Sequence, residues 1–149
     1  IAGPHTSNWD FVLAMSLILS LDVNIHWVGK HSIFKKGFRR ILRKLGGIPV
    51  NRSNPEALKS EIKNVTDKYK GFVIAIAPEG TRQKVNRLKS GFLRIAQDTN
   101  SKIMIAGIDF SRKTVELGEF FSPSGDVDKD LKVIKEYFSN FIAKRPELS

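Results

Sequence analysis

Apolar residues recur along the chain in two rhythms, punctuated by glycine, proline and asparagine. From Asp10 the positions Phe11, Leu13, Ala14, Leu17, Ile18 and Leu21 predict a helix begun by Asp10, with a side too apolar to face water. Val23 to Gly29 reads as a short strand, and Ile48 to Asn51 as a brief extended segment around Pro49. Between them, Phe34, Phe38, Ile41, Leu42 and Leu45 recur at helical spacing. They predict about three turns of amphipathic helix, whose apolar stripe faces the core on the reading in which its cations are merely solvated, stopped by Gly46-Gly47. Asn54-Pro55 is a helix start, with Asn54 as N-cap and Pro55 at the first helical position. Leu58, Ile62, Val65 and Tyr69 then share one face, up to Gly71.

The unbroken apolar run Phe72 to Ala77 predicts a central strand buried on both faces, followed by a turn over Pro78 to Arg82. Lys89 to Asn100 predicts a helix, and Lys102 to Phe110 and Thr114 to Phe121 two further strands. Asp126 or Asp128 caps a last helix bearing Leu131, Ile134, Phe138, Phe141 and Ile142. Strands alternating with helices imply an α/β fold, with a largely parallel or mixed central sheet flanked by helices. The Ser122-Pro123-Ser124-Gly125 loop is too short for a domain linker, and 149 residues suit a single domain.

Charge changes this picture more than size does. The chain carries 25 Lys and Arg against 15 Asp and Glu, a formal net charge of +10. Between Asp22 and Glu56 there is no acidic residue, whereas Lys30, Lys35, Lys36, Arg39, Arg40, Arg43, Lys44 and Arg52 supply +8. Six of those cations interleave with the apolar positions of the helix expected after Phe34. The pattern fits a solvated helix face or attraction to an anionic surface, whether phospholipid headgroups or nucleic acid. Cysteine is absent, which removes disulfides, thiol nucleophiles and thiolate-bound metals and fits a reducing compartment. The longest apolar run, Phe11 to Leu21, contains two serines and falls well short of the ~20 residues of a membrane span.

The candidate chemistry begins at His5, in Pro4-His5-Thr6-Ser7-Asn8-Trp9-Asp10. A carboxylate on the first helical turn can reach back to an imidazole in the preceding loop. If Asp10 accepts the Nδ1 proton, Nε2 is left as a base suited to deprotonating an alcohol. The other reading has Asp10 only capping the helix and His5 packing in a loop. Glu79-Gly80-Thr81-Arg82 lies at the carboxyl end of the expected central strand, the edge where α/β sheets bind ligands. Arg82 offers a planar fork of donors suited to a phosphate, and Gly80 permits close approach of the backbone; a turn with a surface ion pair is the alternative. Gly47 to Arg52 brings a second arginine just past an extended segment.

These segments together resemble the glycerolipid acyltransferase family, best known through the 1-acylglycerol-3-phosphate acyltransferases. The family's H-x-x-x-x-D motif matches His5 to Asp10, including the serine often found inside it, here Ser7. The glycine followed five positions later by arginine matches Gly47 and Arg52, and P-E-G-T-R is complete as Pro78 to Arg82. Lys89 and Gly91 stand where many members carry a lysine and a glycine. The resemblance runs from about Gly3 to Phe110. Proline replaces the usual asparagine before the histidine, Ala77 replaces a commoner aromatic residue, and the hydrophobic strand Ile103 to Ile108 lacks the family's proline.

The resemblance implies a glycerol-3-phosphate acyltransferase-like fold over residues 1–149, as one catalytic domain without the upstream membrane-engaging helices that members usually carry. It implies transfer of a fatty acyl group from a thioester to the hydroxyl of a lysophosphatidic-acid-like acceptor, in phospholipid biosynthesis. His5 is then the general base, oriented by Asp10. Gly47, Arg52, Glu79, Gly80, Thr81 and Arg82 form the acceptor site, with the two arginines on the phosphate and Glu79 either fixing Arg82 or contacting the acceptor. Lys30 and Lys89 are further candidates, while His26 and His31 read as structural. No metal or cofactor is implied beyond acyl-CoA or acyl-carrier protein as co-substrate. The expected partners are a lysophospholipid and an anionic membrane surface rather than nucleic acid, and the expected location is cytoplasmic and peripheral to the membrane. Two alternatives stand beside this: a non-catalytic basic module, or a relative that acylates an acceptor without phosphate.

Overall fold

A computed structural model describes the chain apart from Asp22, Lys36, Arg52, Ser53, Asn54 and Lys70 and the side chains of Pro55 and Glu56. In chain order the elements are β1 (Ala2–Gly3), α1 (Asn8–Ser20), β2 (Ile25–Lys30), α2 (Arg39–Lys44), β3 (Gly47–Val50), α3 (Pro55–Lys68), β4 (Val73–Ala75), α4 (Gly91–Asp98), β5 (Ile103–Asp109), β6 (Thr114–Phe121) and α5 (Val127–Phe138). This is an α/β fold with parallel and antiparallel pairings, as the alternation predicts. The strands are divided between two three-stranded sheets where the sequence suggested one, and the chain forms two compact units.

The first unit holds residues 1–20 and 77–149, with sheet order β1-β5-β6. β1 runs parallel to β5, and β5 and β6 form an antiparallel hairpin. Gly3 and Gly107 are register partners, and each is too crowded for a side chain. A Cβ on Gly3 would meet the Phe138 ring at 2.9 Å, and one on Gly107 would run into the Phe141 ring. Leu131, Ile134 and Phe138 of α5 are buried. Asp126 caps α5, its carboxylate accepting from the Asp128 and Lys129 N–H groups at 3.0 and 3.1 Å. The helix ends at Phe138, before the Phe141 and Ile142 expected on it, leaving Phe141 buried and Ile142 outward.

Asp109, at the end of β5, is buried and ties the hairpin turn to the C-terminal segment. It accepts from the Ser111 hydroxyl (2.7 Å), the Arg112 N–H (2.8 Å) and guanidinium (3.1 Å), and the Ile142 N–H (3.2 Å). These donors, Ser111 first, hold its carboxyl far below the usual carboxylate range despite burial. A folded-state pKa that is depressed contributes stability above the unfolded value of about 3.9 and loses it as the pH falls. Asp109→Asn is therefore expected to lower Tm clearly at neutral pH. The gap to wild type should narrow below about pH 4, which thermal melts across pH will read.

The second unit holds residues 21–76, with an all-parallel sheet of order β3-β2-β4. Trp27 on the central strand is buried, stacks on Phe34 at 5.7 Å and donates Nε1–H to the Leu45 carbonyl at 2.8 Å, satisfying the end of α2. Gly46 adopts φ +78°, the left-handed stop that the glycine pair predicts.

Four expectations are corrected. Among the described residues Val73 to Ala75 pairs only with β2, so the apolar run forms an edge strand and Val73 is 40% exposed. An unbroken apolar run does not reveal how many neighbours a strand has. The basic helix is six residues, not three turns, because Gly37 at φ +98° interrupts it. Its stripe also splits: Phe34 is buried, whereas Phe38 and Ile41 point outward. Finally, α1 starts at Asn8 rather than Asp10, and its predicted inner side is only half-buried, with Phe11 and Leu21 exposed. The helix is apolar on every side, so burying one stripe leaves apolar residues outside. No helix of the described residues is long and apolar enough to cross a membrane.

Candidate active site

Pairing with β5 places β1, and β1 delivers Pro4 and His5 to its carboxyl end. Ser7 then starts α1. Its Oγ accepts from the Trp9 N–H at 3.0 Å, while Asp10, one turn along, reaches back to the Thr6 and Ser7 N–H groups, both 2.7 Å from Oδ2. This is the reciprocal arrangement of a capping box. The same Oδ2 lies 3.1 Å from His5 Nδ1. Capping the helix and contacting the imidazole, posed as alternatives by the sequence, are thus one arrangement.

Asp10 is 2% exposed and the His5 side chain 27%. Burial pushes the Asp10 carboxyl up, but the hydrogen bonds from His5, Ser7 and Thr6 outweigh it and hold the group below its usual range. It is a carboxylate at neutral pH. A carboxylate facing Nδ1 selects the tautomer with the proton there and leaves Nε2 a lone pair. No described residue hydrogen-bonds Nε2. The Ser7 hydroxyl is taken by the Trp9 N–H and by Asp10 Oδ1 at 3.4 Å, so it serves as a cap.

The P-E-G-T-R segment joins this group through two contacts the sequence does not show. Buried Glu79 accepts the His5 backbone N–H on both oxygens, at 3.0 and 3.1 Å. Burial raises the Glu79 pKa, and the His5 N–H offsets this only in part. Exposed Arg82 donates Nη1–H to Asn8 Oδ1. Glu79 therefore holds the His5 loop; of its two expected roles, fixing Arg82 or contacting the acceptor, no bond to Arg82 is present among the described residues. Asn8 was an unassigned position of the first motif, and nothing within its neighbourhood in sequence points to a residue 74 positions away.

The turn itself is closed by the Gly80 N–H to the Ala77 carbonyl at 3.1 Å, with Gly80 at φ +67° where glycine is favoured. The Lys89 N–H anchors it to the Pro78 carbonyl at 2.7 Å, while the Lys89 side chain faces outward. Thr81 is half-buried, its Oγ1 accepting from the Gln83 N–H at 3.4 Å.

Gly47 belongs to the second unit, where a side chain would meet the Leu42 carbonyl at 2.7 Å and the Trp27 ring at 2.8 Å. Packing alone thus requires glycine there. Lys30 ends β2 and is exposed. His31 is exposed; His26 is half-buried, its Nδ1 buried with no hydrogen-bond partner among the described residues and its pKa lowered by burial and by Lys68. Arg52 and the expected N-cap Asn54 lie outside the described residues.

The structure thus gathers His5, Asp10, Glu79 and Arg82, from two distant stretches of sequence, into one unit. Chemically, this is an imidazole with one nitrogen tied to a buried carboxylate and the other bonded by no described residue, and an exposed guanidinium held by Asn8 of the adjoining helix start. In comparison with protein-family models, residues 1–110 match the family described as Acyltransferase. No curated protein and no solved structure matches the chain.

Proposed function

Since the chain belongs to the acyltransferase family, we propose that it transfers a fatty acyl group from a thioester, acyl-CoA or acyl-carrier protein, to the hydroxyl of a phosphate-bearing lysoglycerolipid, working in phospholipid biosynthesis at a membrane surface. The observation that carries this reading is the 3.1 Å contact between His5 Nδ1 and the buried Asp10 carboxylate, with Nε2 bonded by no described residue.

In the proposed step, Nε2 takes the proton of the acceptor hydroxyl as its oxygen attacks the thioester carbonyl. The tetrahedral oxyanion collapses, the C–S bond breaks, and the departing thiolate takes the proton back from the imidazolium. Asp10 stabilises that imidazolium, and Glu79 positions His5 through its backbone. The products are the acylated lipid and free thiol, with no covalent enzyme intermediate. Arg82 binds the acceptor's phosphate, for which the guanidinium fork suits two oxygens; the same role for Arg52 rests on the family motif alone. Gly80 and Thr81 line the acceptor beside Arg82, and the role of Gly47 rests on the family motif alone.

Release of thiol that depends on an added lysophosphatidic acid tests the reading. For Arg82→Ala, steady-state kinetics should show the acceptor KM rising about ten-fold, the loss of one charged hydrogen-bonding pair, with a smaller change in kcat. An unchanged acceptor KM would remove Arg82 from the phosphate site.

A further inference from the structure

The second unit carries a surface on which apolar and cationic side chains are mixed. Phe38 is 66% exposed and Ile41 is 55% exposed, one helical turn apart at the start of α2. Lys35, Arg39, Arg40 and Lys44 around them are all exposed. None of the four forms an ion pair among the described residues, whereas Arg43 is paired with Glu61 at 3.1 Å. The segment is anchored from beneath by Phe34, which is 6% exposed and stacks on Trp27. The segment thus presents two large apolar groups and four cations that no described carboxylate pairs, and residues 23–55 contain no acidic residue.

We infer that this face docks on an anionic phospholipid bilayer, with Phe38 and Ile41 entering the headgroup–acyl boundary and Lys35, Arg39, Arg40 and Lys44 lying against lipid phosphates. Charge complementarity selects an anionic partner, and the apolar pair selects among anions. Side chains of this size gain by leaving water for hydrocarbon but gain nothing from a nucleic-acid backbone, which cations alone satisfy. The inference extends the proposed function, and rests on it only in taking the acceptor to be a membrane lipid.

Sedimentation with vesicles separates docking from chemistry. Wild type should bind vesicles of phosphatidylglycerol mixed with phosphatidylcholine, bind phosphatidylcholine alone weakly, and lose affinity as salt rises. Phe38→Ser with Ile41→Ser should weaken binding about ten-fold per residue, and Arg40→Gln with Lys44→Gln about five-fold per charge. Both pairs are exposed, so circular dichroism melts should match wild type, and turnover of a short-chain, water-soluble acceptor should be retained. His5→Ala should bind vesicles as wild type does, so a failure of the catalytic reading leaves this result standing. Vesicle binding that is unchanged in the Phe38/Ile41 variant would overturn the inference. So would wild-type binding to duplex DNA tighter than to the mixed vesicles and indifferent to that variant.

Discussion

Replacing His5 by alanine is expected to lower kcat/KM for acyl transfer about 10²–10⁴-fold, or about 3–5 kcal/mol of transition-state stabilisation, while leaving the melting curve close to wild type. Activity and stability separate here because of how the residue is held. The backbone N–H of His5, not its ring, carries the bond to Glu79. The Thr6 and Ser7 N–H groups, not the imidazole, supply the two short bonds to Asp10. An alanine at position 5 keeps all of these, so the loop and helix start persist and only the base is lost. Near-normal turnover in a folded His5→Ala protein would refute the dyad.

Asp10 should behave differently, because it serves the fold and the proposed reaction together. Asp10→Ala leaves the buried Thr6 and Ser7 N–H groups without an acceptor. At about 1–3 kcal/mol for each unsatisfied donor, a loss of about 2–6 kcal/mol in urea unfolding is expected alongside the loss of activity. Asp10→Asn keeps the shape and one acceptor oxygen, so most stability should return. The negative charge that stabilises the imidazolium does not, and kcat should stay about 10²-fold or more below wild type. The decisive comparison is with the double variant. If the two residues act as a unit, His5→Ala with Asp10→Asn is no slower than His5→Ala alone. Multiplied losses would mean that they act separately.

Local chemistry makes several of these features legible in the sequence. The stop at Gly46, the cap at Asp126 and the turn after Ala77 follow from turn chemistry, because glycine and aspartate act through local geometry. Thr114–Phe121 is a strand over the residues its pattern predicts. What the sequence hides depends on distance. β1 is two residues long, too short for any periodicity, and exists only because Ala2 and Gly3 pair with Ala106 and Gly107. The edge position of β4 depends on which strands meet β2.

The same division holds within the candidate site. His5 and Asp10 are separated by a loop and the first helical turn, so spacing brings their contact within reach, although it leaves capping as the alternative. Glu79 to His5 and Arg82 to Asn8 span 74 positions each, and no local rule foretells them. The outward turn of Phe38 and Ile41 is hidden for another reason. Helical periodicity identifies an apolar stripe but assumes that water is the only thing outside it.

This His–Asp pair is proposed to move an acyl chain onto a phosphate-bearing lysolipid. The most direct measurement of that role gives labelled acyl-CoA and acyl-carrier protein in turn to the wild-type protein and to His5→Ala. Each donor is paired with lysophosphatidic acid or with a lysolipid lacking an accessible phosphate. Wild type is expected to yield labelled phosphatidic acid from at least one donor and little product from the phosphate-free acceptor, and His5→Ala almost none. Label passing to lysophosphatidic acid equally well without His5, or from neither donor with the folded wild-type protein, would contradict that role.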